Sequence, residues 1–202
     1  LVHGCHPSFT PRILGLAEPY RDKRPGPLLT LVMSELWSGE HLGRQVRQGR
    51  YHGLVELIEV DRVVPPGAAG DGASDPLVRN ASLTTMRERL IAEMDALVVI
   101  GGKRWAVTSL RPGTLEELEL ALAKRIPTFL LGGFGGMAED LAQRAGAGSD
   151  LHERFAPGLD PEDSRYLLGT DNAATASALI INTCQRLQKE GKFQPSLMQA
   201  RG

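Results

Sequence analysis

The sequence predicts an α/β fold built on a mostly parallel sheet, and three features carry that prediction. Short apolar runs alternate along the chain with stretches of helical periodicity, the order that strand-helix-strand crossovers produce. The run at 28–33 is almost continuously apolar, as a strand covered on both faces must be. Two further runs, at 96–100 and 128–131, end in glycine-rich turns that open helices, the place where such sheets receive ligands. With right-handed crossovers, the expected arrangement is a Rossmann-like, doubly wound sheet of about five or more strands in three α/β/α layers. Its expected strand order is three-two-one-four-five.

Composition narrows the function classes. A chain of 202 residues, 42% hydrophobic and 23% charged, suits a single domain over 1–202 with a substantial core. A formal net charge of -1 supplies no global positive field for a nucleic-acid backbone, so no polynucleotide partner is expected. The apolar runs are a few residues long and no leader pattern opens the chain, which predicts a cytoplasmic protein with no membrane partner. Cys5 and Cys184 fall on a loop and inside a helix, so no disulfide framework is expected. His3, His6, His41, His52 and His152 contain no pair at metal-ligand spacing, and no metal is expected.

Taken in order, Leu1–His3 reads as the end of a first strand. Three residues are few against the usual five or six, which predicts a truncated strand and a chain that is a piece of a longer protein. The loop Gly4-Cys5-His6-Pro7-Ser8 follows. Thr10 is the expected N-cap of a helix with Pro11 in its first turn and Ile13, Leu14, Leu16 and Ala17 on its apolar face, ending near Pro19. Strand two spans 28–33, a polar helix 40–48, and strand three 54–60. The Gly, Pro and Asp residues of 65–76 predict a lid or a mobile loop. Leu83, Met86, Leu90 and Met94 recur at helical spacing ahead of strand four. Helices are expected from Leu115 to Lys124 and after Gly136. Pro157-Gly158 and Pro161 interrupt the pattern. Asp171 then caps a long helix with Ala176, Leu179, Ile180, Thr183 and Leu187 inward and Gly191 at its end.

Helix starts carry unpaired N–H groups and a partial positive charge. Gly113-Thr114 and Gly135-Gly136 are therefore candidate phosphate donors, glycine being needed where a Cβ would hold a ligand off. The plainer account makes both glycine runs tight turns. Thr114-Leu115-Glu116-Glu117 also spells a capping box, in which Thr114 and Glu117 satisfy each other's amides; the alternative gives Glu117 two ribose hydroxyls. His6 and Ser8 are candidate phosphate donors. A Cys5 thiolate beside His6 is a weaker idea, because neighbouring loop residues point apart.

Gly101-Gly102 followed by Pro112-Gly113-Thr114-Leu115-Glu116-Glu117 resembles the split glycine and G-T-x-x-E signature of the SLOG superfamily, which includes the LOG-type phosphoribohydrolases. Gly4 to Ser8 is similar to the first-strand glycine loop of that superfamily, and Gly132-Gly133-Phe134-Gly135-Gly136 to its later one. In the hydrolases the two glycine pieces form one compact loop, whereas here residues 103–111 intervene and carry Lys103, Arg104, Trp105 and Arg111. Such an insertion is similar to the sensor branch of the superfamily, whose members bind NAD-derived or other nucleotide signals in bacterial conflict systems such as Thoeris.

The resemblance implies a nucleotide ligand related to NAD or ADP-ribose and no required cofactor. It implies phosphates on Gly102, Gly113, Thr114 and Gly133 to Gly136, ribose on Glu117, a second charged group on Lys103 or Arg111, and Gly4, Gly101 and Gly132 also at the ligand. A homo-oligomer is expected on the same ground. The rival from another class is a nucleoside 5′-monophosphate phosphoribohydrolase using Glu117 with Arg87, and a third reading makes the glycines structural only.

Overall fold

A computed structural model describes residues 1–6, 8–23, 25–104, 111–146, 155 and 159–191. Pro7, Trp105, His152 and Pro157-Gly158 lie outside the described residues. Two compact units divide the chain, Leu1–Glu93 and Met94–Gly202.

The first unit holds β1 (Val2–Gly4), α1 (Thr10–Ala17), a 3-10 turn at Glu18–Lys23, β2 (Leu29–Ser34), α2 (Glu35–Ser38), α3 (His41–Arg47), β3 (Val55–Val60) and α4 (Pro76–Ala92). Its sheet is parallel with β2 in the centre, and Leu31 stands between His3 and Leu57. Every residue of β2 is buried, as its near-continuous apolar sequence requires. Helix α4 packs on all three strands through Val78, Ser82, Met86, Leu90 and Ile91. Its close approach depends on Gly4, where a Cβ would stand 3.3 Å from Leu90 Cδ2. Leu14 of α1 completes a second cluster with Leu29 and Leu54.

The second unit holds β4 (Leu97–Ile100), α5 (Gly113–Ala123), β5 (Thr128–Leu131), a 3-10 turn at Gly132–Phe134, α6 (Gly136–Gly146), α7 (Pro161–Gly169) and α8 (Ala173–Lys189). Strands β4 and β5 pair in parallel, Val98 opposite Phe129. Both α5 and α6 pack on the pair, and α7 and α8 bring Leu167 and Ala176 onto Phe129 and Leu131.

Mixed α/β architecture and parallel pairing are as expected, but the strand count per sheet is not. Among the described residues the ladders link β1 to β2, β2 to β3, and β4 to β5. The result is a sheet of three and a sheet of two, neither reaching five strands. No helix of the described residues is long and apolar enough to cross a membrane.

Several local expectations are corrected by hydrogen bonding. Phe9, not Thr10, is the N-cap of α1; the Thr10 hydroxyl instead accepts from His6 N at 2.9 Å. Helix α4 starts at Pro76, about two turns ahead of Leu83, because Asp75 caps it. The Asp75 carboxylate accepts from Leu77 N at 2.8 Å, Ala69 N at 2.6 Å and Gly70 N at 3.1 Å. Arg62 pairs with Asp71 at 3.1 Å, and Val63 N donates to the buried Ser82 hydroxyl at 2.9 Å. The Gly- and Pro-rich segment before α4 thus makes hydrogen bonds and an ion pair at several points. Pro161 begins α7 instead of breaking a pattern: Asp160 accepts from Glu162 N and Asp163 N, both at 2.9 Å, and proline suits the first turn. Asn172, not Asp171, caps α8 by accepting from Thr175 N at 3.1 Å. The stripe of α8 is as expected, with Ala176, Thr183 and Leu187 buried.

Leu31→Ala, at a fully buried position of the central strand, should cost about 2–5 kcal/mol in urea unfolding. Amide hydrogen bonds from Leu77, Ala69 and Gly70 depress the pKa of Asp75. Its stabilising effect is therefore complete above the unfolded value of about 3.9 and lost as pH falls through the lower folded value. Asp75→Asn, which keeps a capping oxygen, should flatten the fall in Tm that the unaltered chain shows as pH drops below about 4.

Candidate functional site

Both glycine turns of the second unit meet. After β4, Gly101 and Gly102 take φ of 61° and 91°, and Gly135 and Gly136 take 79° and 68° at the start of α6. These values belong to the left-handed region that glycine enters without strain. The conformation aims two carbonyls at α6: Met137 N donates to Gly102 O at 3.0 Å and Ala138 N to Gly101 O at 2.8 Å. A Cβ on Gly136 would fall inside contact with Gly102 O. Two of the first-turn amides of α6 are thus already occupied by main chain. Gly132 and Gly133 are likewise close-approach residues, against Leu168 O and Ala142 Cβ in one case and the Thr170 carbonyl in the other. Phe134 packs against the Phe129 cluster.

The start of α5 differs. Pro112 is its N-cap, with no side-chain cap hydrogen bond. Glu116 N reaches Pro112 O at 3.1 Å, while the N–H groups of Gly113, Thr114 and Leu115 precede the first intrahelical acceptor. Thr114 is a helical residue, so the capping box, which needs threonine in the extended N-cap position, does not form. The Thr114 side chain instead fills the space beside Gly102, where a Cβ would strike its Oγ1. Glu117 is half-buried in the turn that follows, and its neighbour Glu116 faces inward with Leu118 and Ala121. A Cβ added to Gly101 or to Gly135 would meet nothing within 4 Å among the described residues.

The cations of the insertion are distributed unevenly. Arg104 pairs with Glu139 and, at 3.1 Å, with Asp140 of α6. Arg111 pairs with Glu119 of α5, which directs it along its own helix. Lys103 is exposed.

In the first unit the loop after β1 is closed on itself. His6 O accepts from Phe9 N and Thr10 N at 3.2 and 3.0 Å. Ser8 N donates to His6 Nδ1 at 3.2 Å, which places the proton of a neutral His6 on Nε2. His3 Nδ1 stands 3.4 Å from Thr10 Oγ1, and burial, then the nearby His6, lowers its pKa. Burial pushes the Cys5 thiol up to about 12, so the thiolate idea fails for want of the reactive form. Arg87 lies on α4 of this unit with its Nε buried; Glu117 belongs to the second.

Each unit also carries a cavity. One of about 570 Å3, lined by Arg21, Lys23, Gly26 and His52 among others, lies in the first unit before β2 and β3 begin. That is the opposite end from where α/β sheets take ligands. One of about 460 Å3 lies in the second unit along α6 and α7, with Gly132 and Gly133 in its wall. Gln143 and Arg165 of that wall drew no notice in the sequence, since exposed polar residues on helices read as solvated faces. Among the described residues no three His, Cys, Asp or Glu side chains gather as a metal site.

The family model described as SLOG cluster2 matches residues 64–158. Residues 64–158 belong to the SLOG superfamily. The SLOG match takes in α4, both glycine turns, the 103–111 insertion, α5 and α6, and supports a nucleotide-related domain. No curated protein matches the chain.

Two alanine substitutions separate strain from collision. Gly135→Ala, at positive φ in open space, should cost about 1 kcal/mol. Gly136→Ala, which adds contact with the Gly102 carbonyl, should cost about 1–3 kcal/mol more in the same urea titration.

Proposed function

We propose that this protein binds a nucleotide-derived small molecule, an NAD or ADP-ribose relative, and acts as a sensor of that signal in a bacterial defence or stress pathway. The start of α5 carries the reading. Pro112 gives its first three amides no capping side chain, and a Cβ on the nearby Gly101 would meet nothing within 4 Å among the described residues. An anionic group there meets N–H donors and the positive end of the helix dipole, the combination that favours phosphate. In this reading Gly113 and Thr114 take a phosphate, Glu117 a ribose, and Lys103 a second charged group. Support for a nucleotide comes from the SLOG match, which spans all four residues. The insertion supports a sensor over a hydrolase, because it separates the two glycine pieces that the hydrolases join. Self-association is part of the same proposal and rests on the SLOG likeness alone.

Isothermal titration of the full chain with ADP-ribose, NAD and AMP should give saturable binding to at least one of them. Gly113 is not at positive φ, so Gly113→Val should leave Tm within a few degrees yet weaken binding about tenfold or more by crowding the amides. Silence across the panel from folded protein overturns the reading. Steady release of adenine from AMP, abolished by Glu117→Gln, would replace the sensor with the N-glycosidase.

A further inference from the structure

We propose that the groove between α6 and α7 is the subsite for an adenine base. This rests on the nucleotide reading and gives a place to a part of the ligand that the reading leaves unassigned. The groove holds about 460 Å3, in the range of small-molecule sites. Gly132, Gly133 and Ala142 contribute to its lining with little or no side chain. That part of the wall is closely packed, because a Cβ on Gly132 would strike Leu168 O and Ala142 Cβ, and one on Gly133 the backbone of Thr170. A wall of main chain already held by its neighbours has little left to order when a planar ring is seated against it.

The rim supplies the recognition. Glu139, Gln143 and Arg165 border the same groove, an acceptor, a group that both donates and accepts, and a planar cation. Adenine offers an amino donor at position 6 and an acceptor at N7, the pair that a glutamine carboxamide matches with two hydrogen bonds. Hypoxanthine replaces the amino group with an oxygen that would face the Glu139 carboxylate, so the rim discriminates between the two. Arg165 is exposed and has no ion-pair partner among the described residues, which leaves its guanidinium face for the ring. Arg104 connects this groove to the glycine turn: it follows Gly102 by two residues and pairs with Glu139 at the rim. A phosphate near Gly101 and a base along α6 then fall on either side of one ion pair.

The test is titration of the full chain with AMP, IMP and ribose 5-phosphate. AMP should bind at least about tenfold more tightly than either of the others, the worth of one or two net hydrogen bonds and ring burial. Glu139→Gln, whose carboxamide can donate to the hypoxanthine oxygen as well as accept from the adenine amino group, should remove most of the difference between AMP and IMP. Gly146 lines the groove and has nothing within 4 Å of its Cβ position among the described residues. Gly146→Trp should therefore weaken AMP about tenfold or more without changing ribose 5-phosphate, with Gly146→Ala as the control for the helix. If ribose 5-phosphate binds and AMP is no tighter, or Gly146→Trp leaves AMP unchanged, the base subsite is wrong and the nucleotide reading stands. If neither compound nor ADP-ribose binds, both are wrong.

Discussion

Two main-chain hydrogen bonds, from Met137 and Ala138 to the carbonyls of Gly102 and Gly101, organise the second unit. A helix start left bare in a packed interior would carry unsatisfied donors. Here the end of β4 turns back and its carbonyls fill that role for α6. The turn needs left-handed backbone at Gly101 and Gly102, and the closeness of the two chains needs a bare Cα at Gly136. Once those bonds are made, Gly102 lies against Thr114 and the start of α5 is placed as well. The two helix starts therefore differ: α6 receives main-chain carbonyls from the end of β4, while α5 has no side-chain cap from Pro112.

The first unit uses side chains for the same purpose. Thr10, fully buried, accepts from His6 N and steadies the loop after β1. Asp75 collects amides from both sides of the turn before α4, and Ser82 accepts from Val63 N. Each replaces a ladder that has ended with a short polar contact. That explains why a segment so rich in glycine and proline is held in one course.

Strands and long helices were legible because burial leaves a periodic record. The unbroken apolar run of β2 and the stripe of α8 are direct prints of what each element touches. Partners distant in sequence leave no such record. Nothing in Gly135-Gly136 says that its helix is capped by Gly101-Gly102, or that Gly132 and Gly133 are bare because α7 ends against them. Thr114 misled for the related reason that a capping box depends on where a helix begins, and Pro112 moved that point forward. Short helices escaped notice too: α7 has nine residues, too few for periodicity to outweigh a proline that turned out to start it. The SLOG signature was readable because each of its two pieces is local, the longer being a run of contiguous residues around one helix start.

The self-filled turn also bears on how a guest would be received. Loops that must freeze around a ligand lose conformational freedom when they do so, and that loss is subtracted from affinity. Gly101, Gly102 and Gly136 have already surrendered theirs to the interlock with α6. A small anion settling beside them meets a surface with little left to order, so few contacts suffice to hold it and its arrival need not wait on a slow rearrangement.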